Sequence, residues 1–363
     1  MPTFEPTPEQ KRLVEAASRV TEDVFRPGAA EADETGALPS ITIEKGWALG
    51  LLQTSLPQEM GGLGERSALS SVLALEELAR GDLSASLATH APSAFAIPIL
   101  LAGTRDQRAN YLPRFAGAKW PTFFAAVIEP TYNFDIAFPE VRAHPQAADY
   151  VLTGVKGWVP FADRAEELLV FASEGDRVQA FFVPMTAPGV MIKDREKLMG
   201  LHGLPLYRVS FRDVRLGSGA RLGGESGIDP EPILAAARVA TSALGLGVAR
   251  AAYEYALRYA QERQAFGAPI GQKQAVAFML AEMATEIEAI RLLVWEAAWR
   301  IDREEGGGRA AHRAHQGASD MAMMVADRAV QILGGHGYIR DHPVERWLRE
   351  ARSLSSLCGL VMV

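Results

Sequence analysis

What most constrains this chain is the order of its local patterns: helical to about residue 120, strand-like from 121 to 222, and helical again from 223 to 363. Strands that alternate with helices build a doubly wound parallel sheet, whereas strands collected in one block between two helical blocks do not. The expected fold is mainly α with a central β-domain. Its divisions are an N-terminal helical domain (1–120), a middle antiparallel sheet or barrel (121–222) and a C-terminal four-helix bundle (223–363).

Local signals support each block. Thr7-Pro8-Glu9-Gln10 reads as a helix start, with Thr7 as cap, Pro8 in the first turn and Gln10 closing a capping box. Leu13, Val14, Ala17 and Val20 follow at helical spacing. Further helices are expected at 44–52, 67–80 and 93–101, and one capped by Thr104. From Trp120 to Leu222, runs such as PTFFAAVI, DYVLTG, ELLVFA, VQAFFVPM and YRVSFRDVRL are rich in Val, Phe and Tyr and are separated by Pro, Gly and Asp. Long helices are then expected at 232–264, 272–305 and 315–333, with a fourth from Pro343 toward Leu354.

Composition removes several functions. Net charge is −7 with no basic block, which leaves no footprint for nucleic acid. The apolar runs fall short of the roughly 20 residues a membrane span needs. Met1 to Arg12 lacks a secretory pattern. Cys358 is the only cysteine, so an intrachain disulfide is excluded, and a reducing cytoplasm is the expected location. Seven scattered His and one Cys give no zinc-ligand spacing, and no metal is expected.

Among the motifs, Gly245-Leu246-Gly247 begins like a dinucleotide fingerprint but lies inside a helical pattern, so close helix packing is the favoured reading. Arg263-Gln264-Ala265-Phe266-Gly267-Ala268-Pro269 ends one long helix, and Gln274 opens the next. Arg263 there is either a helix C-terminal cation or, with the glutamine, half of an anion clamp.

Four segments decide between these. ERQAFGAPIGQKQAV, AVQILGGHGYIRDHPVERWLREA, PQEMGGLG and EKLMGLHGLPLYRVSFRDVRL resemble, in order and spacing, the corresponding segments of the acyl-CoA dehydrogenase family. The resemblance implies a fold of helices, β-domain and helical bundle, FAD as cofactor, and desaturation of an acyl-CoA thioester between Cα and Cβ. It also implies a tetramer, homomeric or with an acyl-CoA dehydrogenase-like partner, and an electron acceptor such as an electron-transfer flavoprotein. Each FAD lies between subunits: one holds the flavin ring and its neighbour grips the pyrophosphate and adenosine.

Arg263, Phe266, Gln274, Gln331 and Gly335 match the neighbour's grip, and Trp158 matches the residue that stacks on the ring. Asp135 and Arg238 match positions near the substrate. Other positions depart from the family. Ile128, Phe134, Pro160 and Leu360 stand where hydroxyl residues are expected, and the two positions that carry the catalytic glutamate hold Cys358 and Ala237. The expectation is a base-less subunit of a hetero-oligomeric dehydrogenase. The alternatives are a flavin-dependent oxygenase or other altered chemistry on the same fold, and a non-catalytic acyl-thioester-binding or scaffold protein.

Overall fold

Local chemistry starts the helices where expected. Thr7 accepts the Gln10 N–H while the Gln10 amide oxygen accepts the Thr7 N–H, and Thr104 and Gln107 repeat the exchange. The computed structural model describes residues 5–147 and 149–363; Met1 to Phe4, where the expected lack of a secretory pattern begins, lie outside the described residues. The first helix does not stop near Val20. A π turn at Thr21–Phe25 carries it into a second helix, Arg26–Thr35, in whose first turn Pro27 has no N–H to donate. The extra residue in that turn lets the Thr21 hydroxyl donate to the Glu77 carbonyl at 2.8 Å.

Two further differences have local causes. The helix expected at 44–52 is two, Ser40–Trp47 and Leu51–Ser55, because Gly50 is left-handed at φ 72°. A helix at Leu83–His90 was not expected. Its eight residues are all buried, so no polar face marks a period, although Asp82 caps it by accepting the Ala85 N–H at 2.6 Å.

The middle block is one curled sheet of seven strands: β1 (Phe123–Ala126), β2 (Arg142–Gln146), β3 (Asp149–Pro160), β4 (Glu167–Glu174), β5 (Arg177–Pro184), β6 (Val190–Arg195) and β7 (Leu206–Leu216). They run in the order β1-β4-β2-β3-β7-β6, with β5 paired to β4. Most pairs are antiparallel as expected, but β1 lies parallel to β4, and β2 meets β4 in one parallel contact. The short strands β2 and β6 carry Pro145 and the charged Lys193-Asp194-Arg195, which hid them from strand propensity.

The helix Pro230–Glu262 is the axis of the C-terminal block and packs against Ala68–Gly81, Gln274–Asp302 and Gly308–Leu333. The last of these begins at Gly308, ahead of the expected His315. By composition the axial helix is apolar enough to cross a membrane, but 89% of its apolar window is buried inside the molecule. Its glycines allow close packing, as read: a Cβ on Gly247 would strike the Glu76 carbonyl, and one on Gly245 would lie 3.4 Å from the Ala318 carbonyl. Val344–Ser353 completes the bundle.

Candidate active site

The axial helix ends at Arg263, whose N–H donates to the Tyr259 carbonyl at 2.8 Å. Gln264–Ala265 and Ala268–Pro269 then pair as a two-residue hairpin. Phe266 (φ 53°) and Gly267 (φ 78°) are both left-handed, the conformation such a turn needs. A bulky residue is disfavoured there, and Phe266 is 95% exposed. Gln274 opens the next helix on the surface, and Gln331 is exposed near the end of Gly308–Leu333. Gly335 sits in the following turn with open space where a Cβ would be. Among the described residues, the side chains of Arg263, Gln274 and Gln331 have no hydrogen-bond or ion-pair partner within the chain. The expected grip thus points outward, its polar atoms free for a group that the chain itself does not enclose.

The expected ring side is built on β3. Trp158 is half-buried with φ 52°, at an irregularity in the β3–β7 register between Lys156 and Val159. The same strand carries half of a buried ion pair that sequence reasoning missed. Lys156 Nζ, fully buried, lies 2.8 Å from Glu129 Oε1 and 2.8 Å from the Val127 carbonyl. Glu129 also accepts the N–H groups of Glu140 at 2.6 Å and Val141 at 2.9 Å. Burial pushes the Lys156 ammonium down to about 8, against the pull of Glu129. With their partners inside the chain, these charges pin the loop after β1 to β3. The sequence signal was a lysine and a glutamate within apolar strand runs. Asp135 is exposed and holds a turn, its carboxylate accepting the Ala137 N–H at 2.9 Å. Pro160 and Leu360 are buried, and Ile128 is 6% exposed, so the walls on this side are apolar.

The two expected base positions, 121 residues apart in sequence, meet at one apolar cluster. Ala237 is fully buried, and Cys358 packs against the same apolar cluster as Ala237, which also holds Phe95, Phe123 and Met362. Burial pushes the Cys358 thiol up to about 11 despite the nearby Arg238, so at neutral pH it is a protonated thiol and a poor base. Gly359, at φ 103°, brings the backbone against Val127, where a Cβ would collide. Arg238 is half-buried beside this cluster. Gly308 abuts Glu231, and Gly245 faces Ala318, so the two helices run parallel and His315 falls beside Arg238. Burial, then Arg238, pushes the His315 imidazole down to about 4, and its Nδ1 is buried without a partner. His312 and His315, three apart on one helix, were its only sequence signal.

The residues fit FAD unequally. A free guanidinium, two free amides and an unobstructed glycine suit phosphate and adenosine. The ring side offers Trp158 and apolar walls but not the hydroxyls expected at 128, 134, 160 and 360.

Comparison with known proteins agrees with this geometry. Models of the N-terminal, middle and C-terminal domains of acyl-CoA dehydrogenase match residues 7–119, 125–214 and 231–360. The chain is 33% identical to human mitochondrial short-chain specific acyl-CoA dehydrogenase over 94% of its own length and 84% of that protein's. It is likewise 33% identical to probable acyl-CoA dehydrogenase YngJ of Bacillus subtilis, over 96% and 94%. Butyryl-CoA dehydrogenase from Megasphaera elsdenii superposes with a TM-score of 0.88 at 30% identity, covering 98% of this chain and 95% of that one. The FAD complex of PigA superposes with 0.90 at 25% identity, covering 99% and 96%. The chain therefore belongs to the acyl-CoA dehydrogenase family of FAD oxidoreductases.

Proposed function

We propose that this chain is the base-less subunit of a hetero-oligomeric acyl-CoA dehydrogenase that desaturates an acyl-CoA thioester between Cα and Cβ. One observation carries the reading: the outward grip is intact in residue type and free of internal partners, while the two base positions hold Ala237 and Cys358, neither of them a carboxylate. Losses confined to one half of a shared site are what a division of labour between two chains would leave. In this reading Arg263, Phe266, Gln274, Gln331 and Gly335 grip the dinucleotide of a cofactor whose ring the partner holds. The partner also supplies the glutamate that removes the α-proton. FAD, when bound, accepts the β-hydrogen as hydride. Arg238 stays with this chain as a free cation for an anionic part of the thioester. An electron-transfer flavoprotein as acceptor fits the family.

The test is visible absorbance together with native mass on the purified chain, alone and after mixing with an acyl-CoA dehydrogenase-like chain that carries the glutamate. The expected outcome is a flavin content well below one per chain when alone, with flavin and acyl-CoA-dependent bleaching restored by the mixture. A homotetramer with about one FAD per chain would overturn the divided site. If acyl-CoA left that flavin unbleached, an oxygenase reaction would take its place.

A further inference from the structure

The two halves of the outward grip come from segments far apart in sequence, residues 263–274 and 331–335, and a side-chain pair lies between them. Tyr259 faces both. Its backbone carbonyl accepts the Arg263 N–H at 2.8 Å, and its phenol oxygen lies 2.7 Å from Nδ1 of His336, the residue after Gly335. The turn bearing His336 is close-fitting, because a Cβ on Gly337 would strike the Val330 carbonyl. One helical turn back, Tyr255 makes a matching bond of 2.7 Å to Nδ1 of His342 and stands edge-on to Trp347. The His336 and His342 rings lie 5.4 Å apart.

We propose that Tyr259 and His336 are a positioning pair that couples the two halves of the dinucleotide grip, so that Arg263 and the Gln331–Gly335 turn reach the same ligand together. The inference rests on the reading of these exposed residues as a cofactor grip. Neither residue of the pair needs to touch the ligand. The hydrogen bond between the phenol and the imidazole Nδ1 fixes the turn, while the carbonyl of the same tyrosine fixes the start of the hairpin. Tyr255 and His342, bonded in the same way but flanked by no grip residue, provide the internal control.

The experiment compares the full-length chain with Tyr259→Phe, Tyr255→Phe, His336→Asn, His336→Ala and Arg263→Ala. Amide hydrogen exchange is followed at 263–274 and 330–338, and FAD is titrated by fluorescence, with the mixed oligomer used if the chain alone binds none. Tyr259→Phe should speed exchange in both segments and weaken FAD by about five- to tenfold, the range for losing one hydrogen bond. Tyr255→Phe should leave FAD affinity unchanged. His336→Asn keeps an acceptor at nearly the Nδ1 position and should stay close to wild type, whereas His336→Ala should follow Tyr259→Phe. If Tyr259→Phe loosens only its own segment, or if the two tyrosine variants behave alike, the coupling is overturned. If Arg263→Ala binds FAD as tightly as wild type, the grip reading fails while the exchange data still decide the coupling.

Discussion

His90 shows how burial alone sets the behaviour of a single residue. It is 6% exposed, its Nδ1 bonds the Ser86 carbonyl at 3.0 Å, and it lines a small cavity with Ser93 and Met362 beside the cluster at Ala237. Burial pushes its imidazole down from 6.5 to about 4. Between those values the unfolded chain takes up a proton that the native chain refuses, so stability falls as pH falls through this window. The loss is on the order of 3 kcal/mol. Urea unfolding followed from pH 7 to 4 should show this limb in the wild type and a shallower one in His90→Gln. Equal slopes would mean that the native ring is not held neutral. At this scale the capping pairs Thr7–Gln10 and Thr104–Gln107 were legible because both partners sit three residues apart. The Glu129–Lys156 pair was not, because the two are 27 residues apart, and β2, part of β3 and a loop whose path only packing settles lie between them.

At the scale of elements, the axial helix depends on two glycines that act differently. Alanine normally stabilises a helix interior by about 1 kcal/mol over glycine. At Gly245 the new methyl would meet ordinary contacts of 3.4 Å, so Gly245→Ala should be neutral within about 1 kcal/mol. At Gly247 it would meet the backbone carbonyl of Glu76, the Ala79 Cβ and the Arg80 nitrogen, and backbone cannot swing away. Gly247→Ala should therefore destabilise by about 2 kcal/mol or more, the cost of overpacking. Denaturant midpoints of the two variants should diverge in that order; if they coincide, the helices are not in close contact at Gly247. The helical period of this element was readable from sequence, and so was the choice of packing over phosphate binding for its glycines. The split at Gly50, the π turn at Thr21–Phe25 and the all-buried Leu83–His90 were not, since one left-handed residue, one inserted residue and a helix without a polar face each leave no sustained period to read.

Across the whole molecule, the helical blocks are joined by a network of charges at their interface. Arg250 on the axial helix lies 2.8 Å from Glu77, which Arg80 also pairs at 2.5 Å, and Arg291 lies 2.9 Å from Glu76. Glu76 and Glu77 are 5% and 3% exposed, so removing a partner strands a buried carboxylate. Arg250→Met should cost about 2 kcal/mol, discounted because Arg250 is partly solvated and Glu77 keeps Arg80. Adding Glu77→Gln should cost less than the sum of the separate changes, and strict additivity in urea unfolding would show that the two do not interact. By itself, the sequence determined the block order and the helix caps, and its resemblance to the family marked Arg263, Phe266, Gln274, Gln331 and Gly335 as an expected dinucleotide grip and positions 237 and 358 as expected base positions without glutamate. The caps follow from hydrogen bonds closed within three residues, and the block order from patterns that repeat over a few residues. Only the tertiary structure decided that the expected grip residues face outward with their polar atoms free, that Ala237 and Cys358 meet at one apolar cluster, and that Tyr259 bonds His336. Those facts concern pairs some 70 to 120 residues apart, and their meeting is set by how the axial helix packs against the rest of the molecule rather than by local preference.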